Sequence, residues 1–210
     1  MRKLACVGVC ACTGAAAFGG AQPPQIDFTA YYSGALTSTD PVFANPGGAS
    51  GTHHYDVQAF TVGATGEYLI ESASLNTTGS PSNALDTFLR VYAGSFNPAS
   101  PNLNLLASND DMDWAYSVLP GPFGLAPQGT GYQGAQPSSQ VFLVLQPGIE
   151  YFIVNTSYRA TGYTVTGSEG GPRGVYYTGI GGPGPVQIVP VPAGVALLGI
   201  GLLTTRRRRR

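Results

Sequence analysis

The spacing of apolar residues most constrains the fold of this 210-residue chain. No long stretch repeats apolar residues with the 3.6-residue period of an amphipathic helix. Several short runs are instead rich in Tyr, Phe, Val, Ile and Thr and end at Gly, Pro, Asn or Ser, which is typical of strands joined by turns. This pattern predicts an all-β fold, an antiparallel β-sandwich. The predicted strands are Ile26–Tyr32, Tyr55–Val62, Tyr68–Ser74, Thr87–Tyr92, Leu103–Ser108, Ser139–Leu145, Tyr151–Ser157 and Tyr163–Ser168, with Val175–Tyr177 as a weaker ninth.

The apolar content of the runs separates core strands from loops. Val141–Leu145 and Tyr151–Val154 are the most apolar runs and are predicted to be central strands. Two long segments are instead dense in Gly and Pro. Asp113–Pro137 is predicted to be an insertion loop over one edge of the sandwich, and Gly170–Pro185 a flexible stalk.

The run around Arg90 shows how one predicted strand should face the core. Side chains alternate along a strand, so Arg90 is expected to point outward with Phe88 and Tyr92. Leu89 and Val91 then point inward. Burial of each such apolar side chain contributes about 1.5–3 kcal/mol to folding.

The amino-terminal residues are typical of a secretory leader. Met1-Arg2-Lys3 is positively charged, Leu4–Phe18 is apolar and small, and Gly19-Gly20-Ala21 precedes an expected cut after Ala21. A lipoprotein leader with Val9-Cys10-Ala11-Cys12 as its lipobox is an alternative, although the apolar stretch before Cys12 is short. All three cysteines lie in this leader, so the mature protein is expected to contain no disulfide.

The carboxyl-terminal residues are typical of a membrane anchor. Ala193–Leu203 carries no charge, Thr204-Thr205 follow, and the chain ends in Arg206, Arg207, Arg208, Arg209 and Arg210. As a helix the apolar run rises only about 16 Å, but its uncharged flanks extend it to about twenty residues, enough to span a bilayer. The arginines should stay on the cytoplasmic side. A buried core helix or a nucleic-acid-binding tail are the alternatives, and a basic block beside an apolar run favours the membrane.

Charge is distributed unevenly along the chain. The segment between the leader and the terminal arginines contains three basic residues, Arg90, Arg159 and Arg173, and all eleven acidic residues. Its formal net charge is therefore 3 − 11 = −8. An acidic body repels nucleic acid, so no nucleic-acid partner is expected. The low charge content and abundant Gly and Ser are typical of an extracellular β protein.

The apolar run is preceded by the motif Val189, Pro190, Val191 and Pro192. This motif, followed by the apolar helix and the arginines, resembles the PEP-CTERM sorting signal of Gram-negative bacteria, with valine where the family usually has glutamate. The resemblance implies a membrane partner, an exosortase-type processing enzyme that cuts near the motif, and release to the cell surface or extracellular matrix.

Four runs of the body share a likeness to one known type of domain: Asp86–Pro98, Leu105–Asp111, Gln146–Val154 and Gly162–Val165. Through these runs the body resembles the pre-peptidase C-terminal type of domain. The resemblance implies a jelly-roll-like accessory module of a secreted protein and no catalytic activity. The expected organisation is a signal peptide over 1–21, a β-sandwich domain over 22–169, a stalk over 170–188 and an anchor over 189–210.

One acidic cluster is a candidate calcium site. Its oxygen ligands would be Asp86, Asn109, Asp110, Asp111 and Asp113, because Ca²⁺ takes six to eight hard oxygen ligands. The alternative is that Asn and Asp form Asx-turns at a strand end. The chain also lacks the spacing of an EF-hand loop.

Three aromatic residues near that cluster are candidate contacts for a polysaccharide. Trp114, Tyr116 and Tyr132 lie in the long insertion, where aromatic faces either bind sugar rings or anchor the loop to the domain. His53-His54 is interpreted as a solvated loop pair, because two histidines without further ligands are weak support for a metal. The leading prediction is a non-catalytic surface or matrix protein, and the alternative is a calcium-dependent carbohydrate-binding module.

Overall fold

The computed structural model describes residues 26–74, 84–111, 138–165 and 170–190. Within these residues every regular element is a strand and none is a helix. The strands are β1 Phe28–Leu36, β2 Val42–Ala44, β3 Thr52–Val62, β4 Gly66–Ser74, β5 Thr87–Ala93, β6 Leu105–Asn109, β7 Ser138–Leu145, β8 Tyr151–Ser157, β9 Gly174–Gly182 and β10 Val186–Val189.

The strands form two antiparallel sheets. The first has the order β1-β9-β4-β7, and the second has the order β10-β3-β8-β5-β6, with β2 paired to the start of β3. Short turns cross from one sheet to the other, as between β3 and β4 and between β7 and β8. Gly148 follows Pro147 in the β7–β8 turn and has φ +82°, a conformation that favours glycine. The all-β prediction and its antiparallel sheets are confirmed.

A hydrophobic core lies between the sheets. Ile70 of β4 and Ile180 of β9 come from the first sheet, while Leu89, Val91 and Ile153 come from the second, and all five side chains are inaccessible to solvent. Leu89 and Val91 therefore point inward as predicted. Because the core draws on both sheets, the architecture is a two-layer, sandwich-like packing.

A hydrogen-bonded polar group continues the interior beyond this apolar core. Asn155 Nδ2 donates to Tyr32 Oη at 2.8 Å, and Thr178 Oγ1 donates to Asn155 Oδ1 at 3.1 Å. Ser139 Oγ donates to Thr87 Oγ1 at 3.1 Å. Burial raises the pKa of Tyr32, with the charge of Asp56 contributing, so the tyrosine stays a neutral hydrogen-bonding group. These bonds satisfy polar side chains that would otherwise oppose burial.

A second, smaller cluster covers the outer face of the second sheet. Phe96 of the β5–β6 loop packs on Tyr55 with ring centroids 5.2 Å apart and on Tyr92 at 4.9 Å. Phe43 of β2 contacts both Tyr55 and Phe96. This outer cluster, together with the loops that carry it, shields from water the face to which Arg90 points.

The expected exposure of Arg90 is therefore wrong, although its predicted face is right. Arg90 is on the face opposite Leu89, yet it is only 1% exposed. Its Nε donates to Tyr92 Oη at 2.7 Å, and the remaining donors reach the loops on either side. Those bonds are to Asn45 Oδ1, Pro46 O, Pro101 O and Asn102 Oδ1, at 2.7–3.0 Å.

The segment 170–188, predicted to be a stalk, belongs to the sheets. β9 occupies an interior position of the first sheet between β1 and β4, and β10 pairs with β3. The glycines that suggested flexibility allow close packing instead: the ring of Tyr68 lies where a Cβ of Gly182 would project. The weak ninth strand is confirmed, and the domain boundary at residue 169 is wrong.

The ends of most other predicted strands differ less from those in the structure. The strands predicted at Tyr55–Val62, Tyr68–Ser74, Thr87–Tyr92, Ser139–Leu145 and Tyr151–Ser157 are confirmed within three residues at each end. The strand predicted at Tyr163–Ser168 is wrong for its first three residues, which form no ladder, and the rest lies outside the described residues. The short β2 was not predicted.

Candidate functional site

The candidate site lies at one end of the second sheet and is built from three chain segments. Asp86 immediately precedes β5, Tyr158 and Arg159 follow β8, and Asp110 and Asp111 follow β6. In an antiparallel sheet with β5 between β8 and β6, the start of β5 is flanked by the ends of its two neighbours. The fold thus brings together residues that are distant in sequence, and we call them the Asp86 cluster.

An ion pair forms the centre of the Asp86 cluster. Arg159 Nε donates to Asp86 Oδ2 at 2.9 Å, and the two side chains are 24% and 15% exposed. The guanidinium also lies over the rings of Tyr163, at 4.7 Å, and Tyr158, at 5.4 Å. Cation–π contact and the ion pair together hold Arg159 in a defined orientation.

The backbone fixes Asp86 as well. Asp86 N donates to Gly171 O at 3.0 Å, and Tyr158 N donates to Asp86 O at 2.8 Å. Gly171 itself leads into β9 of the opposite sheet. Asp86 therefore sits where the two layers meet.

The surroundings of Asp86 make its carboxyl easier to protonate than that of a free aspartate. Burial raises the pKa of this carboxyl to about 6, against the opposing charge and hydrogen bond of Arg159, while the charges of Asp110 and Asp111 raise it further. Burial also raises the pKa of Asp110, with the charge of Asp111 contributing. Three carboxylates are thus close enough to repel one another.

Asn109 and Asp111 form the turn that was the alternative to calcium. Asp111 N donates to Asn109 Oδ1 at 3.3 Å, and Asn109 Nδ2 donates to Asp111 O at 2.9 Å. Asn109 Nδ2 also donates to Gln140 O at 2.9 Å, which ties β6 to β7 of the first sheet. Asn109 therefore has a structural role in an Asx-type turn.

The proposed calcium ligands are only partly brought together. Asp86, Asp110 and Asp111 lie at one end of the domain, but Asp86 is bonded to Arg159. Asp113 lies outside the described residues. Within 26–74, 84–111, 138–165 and 170–190, no group of three or more His, Cys, Asp or Glu side chains is close enough to hold a metal ion.

An open surface depression of about 530 Å³ lies beside the Asp86 cluster. Its walls are the segment Tyr163–Val165 and the segment Gly171–Gly174, which includes Arg173. Arg173 is exposed, unlike Arg90 and Arg159. An aromatic ring next to an exposed guanidinium is suited to a sugar ring that carries an anionic group.

The two histidines are not in a solvated loop, as the sequence suggested. Both lie in β3 and are buried, His53 completely and His54 to 7% exposure. The ring nitrogens of His53 lie 2.8 Å from Ser157 O and 2.8 Å from Ala49 O. These contacts connect the β2–β3 loop to the end of β8, so His53 has a structural role.

The remaining predicted residues fall mostly outside the described part. Trp114, Tyr116, Tyr132, the leader and Arg206–Arg210 lie there. Of the sorting motif, Val189 is the last residue of β10 and Pro190 follows it, while Val191 and Pro192 lie beyond. No helix in the described ranges is long and apolar enough to cross a bilayer.

Sequence reasoning missed Arg159, Tyr163 and Arg173 as members of this region. One feature of the sequence could have indicated Arg159, because the body contains only three arginines and Arg159 lies two residues beyond the end of a predicted central strand. Spacing alone could not pair it with Asp86, which lies 73 positions earlier.

Comparison with known proteins leaves the family open. No protein-family profile matches this chain, and no curated protein has significant sequence similarity to it. The resemblances to the PEP-CTERM signal and to the pre-peptidase C-terminal domain therefore stay predictions.

Proposed function

We propose that this chain is an exported, non-catalytic protein of the surface or extracellular matrix of a Gram-negative bacterium. The observation that carries the proposal is the order of its tail: the motif Val189–Pro192, an uncharged segment, then Arg206–Arg210. An uncharged segment is more stable in lipid than in water, and a cluster of guanidinium groups is costly to move through the bilayer. The tail would hold the body outside until an exosortase-type enzyme cuts near the motif.

The character of the described body supports an accessory role. Apart from Ser138 Oγ, the buried side-chain polar groups of the described residues are engaged in structural bonds, among them those of Arg90 and His53. A jelly-roll-like domain of the pre-peptidase C-terminal type is the finer fold that we propose for the two sheets.

Cell fractionation of matched tail variants tests the proposal. Replacing the five arginines by glutamine should shift the protein from the membrane fraction to the soluble exported fraction, because the stop signal is lost. Replacing them by lysine is the control and should preserve retention, since the positive charge is kept. Equal retention of both variants would refute the anchor.

A second candidate function is calcium-dependent binding of an extracellular polysaccharide. The observation that favours it is the depression lined by Tyr163 and Arg173, where Gly171 O accepts the backbone hydrogen bond of Asp86. The described carboxylates alone do not form a metal site, so a bound Ca²⁺ would need further oxygen ligands such as Asp113, and the depression would contact the sugar.

Thermal denaturation with and without Ca²⁺ tests this candidate. Calcium should raise the melting temperature of the wild type, and the double substitution Asp110→Asn with Asp111→Asn should abolish that rise. Glu150→Gln, which neutralises an exposed carboxylate in a distant turn, should leave it intact. No calcium response in the wild type would contradict the metal component, and no binding to anionic polysaccharide would contradict the function itself.

A further inference from the structure

Strand β10 leads directly into the sorting motif without a spacer. Val189 is both the last residue of β10 and the first residue of the motif. β10 pairs antiparallel with β3, from Val186 opposite Val62 to Val189 opposite Ala59. Gln58 Nε2 of β3 also donates to Val189 O at 2.5 Å. The backbone at the start of the motif is therefore bonded into the sheet.

Packing reinforces this pairing. Val186 and Ile188 are partly buried against the core between the sheets. At the turn before β10, Gly63 N donates to Pro185 O at 2.8 Å. The segment that precedes the motif is thus fixed by both apolar contacts and hydrogen bonds.

The distance available beyond β10 is short. Only Pro190, Val191 and Pro192 separate Val189 from the uncharged segment that begins at Ala193. Three fully extended residues span at most about 11 Å. An enzyme that binds its substrate as an extended strand needs free backbone on both sides of the bond that it cuts. On the amino-terminal side of this motif, that backbone is β10.

We propose that the pairing of β10 with β3 protects the tail from processing, and that β10 must detach before the chain is cut near the motif. This inference rests on the proposed function, because it takes the tail to be the substrate of a processing enzyme. β10 suits such a role, since it is a four-residue strand at the edge of its sheet, where local opening requires the least free energy. Processing would then depend on a local opening step while the other strands stay folded.

A disulfide between the two strands tests the proposal. Thr61 and Gln187 are directly opposite in the ladder, and their neighbours Val62 and Val186 pack against the core, so the pair points away from it. All cysteines of the chain lie within the first 21 residues. The variant Thr61→Cys with Gln187→Cys should therefore form one defined bridge after leader removal.

The measurement is the rate at which full-length protein loses its tail in the native cells, followed by pulse-labelling and intact mass. The oxidised double-cysteine protein should be cut at least fivefold more slowly than wild type, and a reductant should restore the rate. The single variants Thr61→Cys and Gln187→Cys are the controls and should be cut at the wild-type rate. Cutting of the oxidised protein at the wild-type rate would overturn the proposal.

A second variant opens the strand without changing the tail. Gln58→Glu replaces the donor to Val189 O by an oxygen that repels it, so cutting should be at least twofold faster. An unchanged rate of tail removal in Gln58→Glu would contradict the proposal that β10 must detach, even if the disulfide failed to form in the other variant. If the wild-type protein is never cut, this inference is refuted. The proposed anchor would still be supported if the lysine tail variant is retained in the membrane and the glutamine variant is not. Equal fractionation of the lysine and glutamine variants would refute the proposed function instead.

Discussion

Arg90 provides the sharpest test of how this fold is stabilised. The five N–H donors of its guanidinium make five hydrogen bonds, to Tyr92 in its own strand and to four acceptors in two loops. The rings of Phe88 and Tyr92 lie 6.0 Å and 5.9 Å from the guanidinium carbon. Arg90→Met keeps most of the apolar volume and removes all of these polar contacts.

The expected loss follows from the acceptors left behind. Pro101 O keeps the hydrogen bond from Tyr92 Oη at 2.8 Å. Asn45 Oδ1, Pro46 O and Asn102 Oδ1 lose the guanidinium donors. At about 1 kcal/mol for each of these three lost hydrogen bonds, and about 0.5 kcal/mol for each cation–π contact, Arg90→Met should lower the free energy of unfolding by about 4 kcal/mol.

Urea denaturation of the mature protein measures this loss. With a slope of about 2 kcal/mol per molar urea, the midpoint should fall by about 2 M. Arg173→Met is the matched control, because Arg173 is exposed, and its midpoint should change by less than about 0.3 M. A loss below about 1 kcal/mol for Arg90→Met would refute the view that the guanidinium holds the two loops on the sheet.

Two further predictions concern the Asp86 cluster and the sheet glycines. Because the folded protein raises the pKa of Asp86 from 3.8 to about 6, the folded state binds the proton more tightly, and Asp86 should add about 1 kcal/mol of stability as the pH falls from 7 to 5. Thermal scans should show a gain of about 2–4 °C over this range. Asp86→Asn should remove this gain and Glu150→Gln should not, and an equal gain in Asp86→Asn would contradict the assignment. Gly182→Ala should lower the melting temperature by several degrees, because the new methyl group meets the buried ring of Tyr68. Gly162→Ala, at a glycine with open space around it, should have little effect, and equal melting temperatures for the two variants would contradict this role of Gly182.

The strands that sequence predicted best are those in which β-branched and aromatic residues alternate without glycine. Tyr151–Ser157 was predicted with both ends correct. β9 was recognised only over Val175–Tyr177, because Gly at four of its nine positions resembles a linker by composition. Its place in the sheet depends on Tyr68 of another strand, and that information is not local to the segment.

Whether a side chain is buried was harder to predict than the face of the strand on which it lies. The period of two placed Arg90 on the correct face of β5, but it could not reveal that a loop carrying Phe96 covers that face. The same limit applies to His53, whose two carbonyl partners come from segments 4 and 104 positions away. Long-range contacts of this kind decide burial, whereas the local pattern decides only which side of a strand a residue occupies.

The candidate site was also predicted only in part. Asp86, Asp110 and Asp111 were grouped from sequence, and the structure places them close enough to interact. Arg159 was not predicted, although it makes the ion pair at the centre of the cluster. Its pairing with Asp86 follows from the β8-β5-β6 strand order, which composition and spacing do not specify.

The most direct test of the account is the intact mass of this protein recovered from the outer surface of native cells. The account predicts an amino terminus at Gln22 and a carboxyl terminus near the motif Val189–Pro192, without the uncharged segment or the terminal arginines. Recovery of the full 210-residue chain from the cytoplasm, with leader and arginines intact, would contradict it.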